Sequence, residues 1–507
     1  MNTRINNTQV KATKFMPTTS SNPLVKGLAI ESNFSVTENG AKTNKSTLND
    51  VLDWFGAGGA LRTRSDLDIS KLFSRAYAQD KLLATKILFY FRDVRMGQGE
   101  RKTFRTLLAW LANNDVETVR KNMLNVPFYG RWDDLYSLMR TPLEKDVFSI
   151  FSTQLVEDIN AMSKGEAVSL LAKWLKSENT SSPISKALGY KTRKALNLTP
   201  RKYRKILSAL RKYIDVIEVK MCSNNWAEID FEKVTSKASM IYRKAFGKHE
   251  QERYAAYLSA VEKGEAKINA GTLYPYEILE KVMVAYSEQD IKSLDLMWKN
   301  MPDWLDGNEH SGMVIADTSG SMNGRPLSVA VSLAIYFAQR NTGPYKNTWI
   351  NFSSSPTFQT IKGRNLKEIY SNMDRNNWSA STNLQSAFNL ILVTAAKYSV
   401  SKADMPKVLY IVSDMEFDRA CTSNTKTNFE VMKEKYNSLG YELPKVVWWN
   451  VNARNDQHPI RHDDTGTALV SGCSPSILKS LLTAKTFDPM SIVFETVNNP
   501  RYDKVIV

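Results

Sequence analysis

Residues 314 to 325 read V-I-A-D-T-S-G-S-M-N-G-R, placing a carboxylate and two hydroxyls at alternate positions: Asp317, Ser319 and Ser321. Two chemistries use that spacing. Short polar side chains after an apolar run can cap a helix, or their oxygens can hold a hard cation. Two further segments carry the same kinds of oxygen. S-A-S-T-N-L offers Thr382, and V-S-D-M-E offers Asp414. Together, two carboxylates and three hydroxyls suit Mg2+ or Mn2+, one ion, completed by water.

A second kind of chemistry is electrostatic. Between Lys186 and Lys212 there are ten basic residues and no acid: Lys186, Lys191, Arg193, Lys194, Arg201, Lys202, Arg204, Lys205, Arg211 and Lys212. Such a run is either a solvated face neutralised by acids from elsewhere in the fold, or a ridge for RNA phosphates. The whole chain carries 68 Lys and Arg against 52 Asp and Glu, a net +16. Residues 301–507 hold 21 basic and 19 acidic residues, which leaves 47 and 33 for residues 1–300. The basic excess belongs to the first part, where an anionic partner is expected. Tyr129 and Trp132, beside Arg131, have the rings to stack on bases, but aromatic residues in a helical turn are assigned to the core.

Other motifs carry less. Gly97-Gln98-Gly99 follows a helical pattern rather than a strand, so it is an inter-helix turn and not a phosphate loop. His458 and His462 are four apart with Pro459 between them, and are read as loop residues. Neither G-x-S-x-G nor a Walker A motif occurs. No enzyme is indicated, and a metal-dependent phosphohydrolase is disfavoured because three hydroxyls and two carboxylates leave no evident general base. Three cysteines, Cys222, Cys421 and Cys473, are too few and too scattered for a disulfide framework or a zinc cluster. With no secretory-type apolar core in the first residues, a reducing, cytoplasmic setting is expected. No membrane-spanning run occurs.

The elements that must position these groups fall in two blocks. Residues 1–46 are rich in Asn, Thr and Ser without a sustained period, and are expected to be a mobile or loosely draped lead segment. Residues 47–305 are helical almost throughout, as in L-N-D-V-L-D-W-F, K-L-L-A-T-K-I-L-F-Y-F and F-R-T-L-L-A-W-L. This predicts an all-α solenoid, HEAT-like, or a large bundle without a clean repeat. Within it, Thr199 is placed as an N-cap, Pro200 at the first helical position, and Tyr203, Leu207, Leu210 and Ile214 on one apolar face. Residues 306–507 alternate apolar strands with helices, which predicts an α/β, doubly wound parallel sheet with a C-terminal extension. Asp317 and Asp414 each close a strand, where sites in such sheets belong.

D-T-S-G-S, S-T-N and S-D-M, in that order, resemble the metal-ion-dependent adhesion site of the von Willebrand factor A domain. That resemblance implies a metal set of Asp317, Ser319, Ser321, Thr382 and Asp414. The segments I-L-F-Y-F-R-D-V-R-M-G-Q-G-E-R-K-T-F-R, N-V-P-F-Y-G-R-W-D-D-L-Y, I-D-V-I-E-V-K-M-C-S-N-N-W-A-E-I-D-F and K-G-E-A-K-I-N-A-G-T-L-Y-P-Y resemble an uncharacterised family with eukaryotic and phage members, in which a helical region precedes an A domain. That family is in turn distantly similar to the Ro autoantigen, or TROVE, proteins. Those resemblances imply a helical ring closed by the A domain, binding of non-coding or structured RNA in a ribonucleoprotein, and a location in the host cytoplasm for a phage member. The alternative expectation is a metal-dependent protein-interaction or assembly module, in which a partner donates a carboxylate to the ion and the helices are scaffold. The oligomeric state is left open.

Overall fold

The computed structural model describes residues 22–305, 311–352, 355–376, 378, 382–419, 426–484 and 486–507. Helices dominate up to residue 299, and a six-stranded sheet follows. The strands of that sheet are β3 (Gly312–Asp317), β4 (Thr348–Phe352), β5 (Thr357–Thr360), β6 (Val408–Ser413), β7 (Lys445–Asn450) and β8 (Thr467–Ser471). An earlier two-stranded hairpin comprises β1 (Phe34–Val36) and β2 (Lys42–Asn44). Among the described residues no helix is long and apolar enough to cross a membrane.

The large sheet runs β5-β4-β3-β6-β7-β8. Five strands are parallel; β5 pairs antiparallel with β4 at the edge. The purely parallel expectation is corrected at that edge. T-F-Q-T is four residues long, with three of its four side chains at least partly solvated, too short and polar to register as a buried strand. The chain passes from β3 outward to β4, then crosses to β6 on the other side of β3. The switch point therefore lies at the carboxyl ends of β3 and β6, where a crevice opens in sheets of this kind.

Both ends of the helical part rest on this sheet domain. The helix Asp50–Gly58 packs on β8 through glycines: a Cβ on Gly56 would lie 2.3 Å from Leu469 Cδ2, and one on Gly59 would lie 2.6 Å from the Ser471 carbonyl oxygen. At the other end, the helix Pro275–Met283 packs on the helix Arg325–Arg340. The two ends also meet each other. The turn at Gly97–Gly99 abuts Tyr274, and Gln98 bonds both Tyr90 and the Ser474 amide. The helical part thus rests on the sheet domain near both its ends, with one contiguous apolar core through both.

The lead segment is corrected in part. Residues 1–21 lie outside the described residues. Residues 34–47 are docked rather than draped: the Asn44 amide bonds His458 O, Thr37 Oγ1 donates to Phe417 O, and Asn39 Nδ2 donates to Glu416 O. Strands of three residues whose polar side chains are satisfied by backbone 414 and 415 positions away leave no periodic signal. The last residues return the other way. Arg501 pairs with Asp93 through both its Nε and its Nη2, and Tyr502 stacks on Tyr129 with ring centroids 5.5 Å apart.

Candidate functional site

Asp317 ends β3 and Asp414 follows β6, the adjacent strand, so the two carboxylates flank the switch point. Both are buried. Asp317 Oδ1 accepts from the Ser319 amide at 2.9 Å, and its Oδ2 accepts from Ser413 Oγ at 2.6 Å. Ser319 Oγ and Ser321 Oγ lie 3.2 Å apart. Neither serine caps a helix: the short turn Gly320–Met322 has no side-chain cap, and Gly324 precedes the helix Arg325–Arg340. Thr382 is buried, and its carbonyl accepts from the Asp418 amide at 2.8 Å, which ties its loop to the one after Asp414.

Burial pushes the Asp317 carboxyl up to about 7, and the negative charge of Asp414 adds to that, against the hydrogen bonds from Ser319 and Ser413. Two desolvated carboxylates facing each other are a place where a cation is electrostatically welcome. The backbone beside them is strained: Met415 holds φ at 67°, a left-handed conformation unfavourable for a side chain with Cβ. Among the described residues no group of three or more His, Cys, Asp or Glu side chains is arranged to hold a metal ion, so an ion here would draw on hydroxyls as well as carboxylates.

Two residues at this site carry no signal in the sequence motifs. Arg454, in the loop after β7, donates from Nη2 to Asp414 Oδ2 at 3.0 Å and from Nη1 to Glu38 Oε2 at 2.8 Å. Glu38 comes from the β1–β2 turn, and its amide bonds Glu416 Oε2. Burial works against the Arg454 charge, but Asp414, Glu38 and Glu416 outweigh it and hold the guanidinium above its ordinary value. Position at a strand's carboxyl end was the one signal available for Arg454.

The basic stretch occupies the helices Pro183–Ala195 and Pro200–Tyr213. Thr199 caps the second helix, accepting from the Lys202 amide at 3.2 Å, and Tyr203, Leu207 and Leu210 are buried. Three of the ten cations are engaged within the fold and leave the ridge. Arg193 is buried against Glu178 and the Leu198 carbonyl. Arg211 donates to the carbonyls of Ala172 and Leu175 and to Ser177 Oγ. Lys191 pairs with Glu144 at 2.6 Å. The other seven, Lys186, Lys194, Arg201, Lys202, Arg204, Lys205 and Lys212, are exposed and form no ion pair among the described residues. Tyr129 is core, as expected, whereas Trp132 is only half-buried and lines an open groove.

Residues 37–146 and 171–308 match a family model described as a domain of unknown function (DUF2828), and residues 311–504 match a second, also a domain of unknown function (DUF7788). The crystal structure of the Ro (RSR) protein of Deinococcus radiodurans aligns over 88% of this chain and 93% of that one, at 12% identity and a TM-score of 0.29. Protein L728 of Acanthamoeba polyphaga mimivirus, described as uncharacterized, is 30% identical over 512 residues, covering 92% of this chain and 87% of its own. With that identity carried through both the helical part and the sheet domain, the chain belongs to the family of the mimivirus protein.

Proposed function

We propose that the chain is an RNA-binding protein of the Ro type, holding RNA phosphates on the exposed face of the helices Pro183–Ala195 and Pro200–Tyr213. The observation that carries this reading is the set of seven exposed cations with no acid to pair with among the described residues. A solvated face neutralised by the rest of the fold would show those pairs. Lysine and arginine on a helix face attract backbone phosphates without reading bases, so the reading implies tight dependence on salt and little on sequence.

The α/β part is proposed as a von Willebrand factor A-type domain with one Mg2+ or Mn2+. The donor chemistry supports that reading: Asp317 and Asp414 would supply charge, and Ser319, Ser321 and Thr382 would supply neutral oxygens. When bound, such an ion supplies a Lewis-acidic point to which an outside carboxylate can attach. The second reading follows from that: a protein-interaction module bridged through the ion. It is favoured by the burial of the two facing carboxylates. No enzymatic step is proposed.

The test replaces Arg201, Lys202, Arg204 and Lys205 by Gln together. Each contact to a single strand contributes about 0.7 to the salt slope, so four lost contacts lower it by about 3. Affinity for unrelated RNA sequences should fall in parallel, and EDTA should leave wild-type binding intact. Unchanged affinity and slope in the four-Gln variant refute the ridge. RNA binding that vanishes with EDTA moves the ion to the contact and favours the second reading.

A further inference from the structure

In the same helical part lies an open groove of about 360 Å3 whose lining includes Arg95, Phe128, Arg131, Trp132, Trp174 and Arg501. That volume is at the low end of cavities that hold a small ligand. Three rings and three guanidinium groups line it, and no acidic residue does. Phe128, in the short helix Asn125–Tyr129, is 42% exposed, high for a large apolar ring. Trp132 and Trp174 are half-buried.

The guanidinium groups are not equivalent. Arg501 is engaged with Asp93. Arg131 sits over Trp174, its Cζ 4.0 Å from the ring centroid, and reaches Asp133 at 3.0 Å. Asp133 is itself shared with Arg105 and Lys176. Burial lowers the pKa of the Arg131 guanidinium to about 10; Arg101 and Arg92 push the same way, and Asp133 and Asp134 only partly offset them. Arg95 is exposed, bonds the Phe128 carbonyl through Nη1, and forms no ion pair among the described residues. Positive charge here exceeds what the fold neutralises.

We propose that this groove takes one nucleotide of a single-stranded RNA, its base stacked on Phe128 and Trp132 and its phosphate on Arg95 and Arg131. Aromatic faces interleaved with cations and free of acids are what an unpaired base with its phosphate requires. A guanidinium held over an indole is also a surface of the kind on which bases stack. Free phosphate would use the cations and leave the rings idle; an apolar peptide would do the reverse. The groove adjoins the buried side of the second ridge helix through one segment. Leu170 and Trp174 line the groove, while Arg211 of the ridge helix bonds the carbonyls of Ala172 and Leu175 between and beyond them. The proposal rests on the RNA-binding reading and adds to it a contact that senses bases, which the ridge does not.

The test uses the full chain with a fluorescein-labelled decamer of adenylate, an abasic decamer of equal charge, and free AMP. Phe128→Ala should weaken decamer binding about fivefold or more, as loss of a base–aromatic stack does, with the salt slope unchanged. Arg95→Gln should weaken it and lower the slope by about 0.7. The abasic decamer should bind the wild type more weakly than the adenylate decamer and ignore Phe128→Ala. Should Phe128→Ala not fold, Arg95→Gln, altered only at an exposed side chain, carries the test. Decamer binding equal in wild type and both variants overturns the groove while leaving the ridge standing. AMP binding as tight as the decamer overturns its assignment to a strand. A wild type that binds no decamer at low salt overturns the RNA reading and the groove with it.

Discussion

Replacing Asp317 by Asn should make the metal-free protein more stable at neutral pH, although it removes a group at the centre of the site. The Asp317 carboxyl is raised from 3.8 to about 7 by burial first and by the charge of Asp414 second. Between those values the folded state holds a proton that the unfolded state has released, so stability falls as pH rises through the window and stays lowered above it. The rise from 3.8 to about 7 sets an upper bound of about 4 kcal/mol on that loss. Asn abolishes the titration at some cost in hydrogen bonding. Its oxygen can still accept from the Ser319 amide, but its NH2 then faces Ser413 Oγ, which must turn from donor to acceptor. Allowing about 1 kcal/mol for that exchange, the net gain at pH 8 is about 2–3 kcal/mol. The assay is urea unfolding in EDTA across pH 4 to 8, read as the difference between the two proteins so that other titrating groups cancel. The difference should grow up to about pH 7 and then level. Adding Mg2+ at pH 8 should stabilise wild type and leave the variant unmoved. A difference that is flat with pH refutes the argument that a buried, unneutralised carboxylate sits there.

Two predictions concern the union of the two parts. Gly56→Ala drives a methyl group into Leu469, 2.3 Å from Cδ2, and should cost about 1–3 kcal/mol by overpacking, seen as a lower urea midpoint at unchanged slope. Limited proteolysis within 300–312 should yield two fragments that still elute as one species, because the apolar core runs through both; separate peaks on size exclusion refute the continuous core.

The strands β3 and β6 and their terminal carboxylates were legible because an apolar run ending in Asp is a local signal, and the order of the three loops is local too. The charges of the ridge were legible for the same reason, but not their fates. Arg211 stands four residues after Leu207, on the buried face of its own helix, so a helical wheel already argued against its exposure. Arg193 gave no such warning; Glu178, its partner, comes from the preceding loop. What stayed hidden is contact at long range. Glu38 and Arg454 meet across 416 positions, and neither belongs to a periodic element. Trp132 was assigned to the core by its residue type and its place in a helical turn, whereas the groove that exposes it is made by Trp174 and Arg501 from elsewhere in the chain.

These long-range contacts bear on how the two halves share one site. The helix Asp50–Gly58 covers β8, and the β1–β2 hairpin lies along the loops that carry Asp414 and Glu416. The sheet domain's crevice is therefore rimmed by residues from the far end of the chain. Arg454 is the cation that now answers Asp414, and it is anchored on its other side by Glu38. A divalent ion between Asp317 and Asp414 would compete with Arg454 for the same carboxylate. Its charge would weaken the largest of the attractions that hold the guanidinium, with Glu38 and Glu416 left as its acceptors. Charge placed at the switch point would therefore reach the hairpin through Arg454, which contacts Asp414 and Glu38 directly.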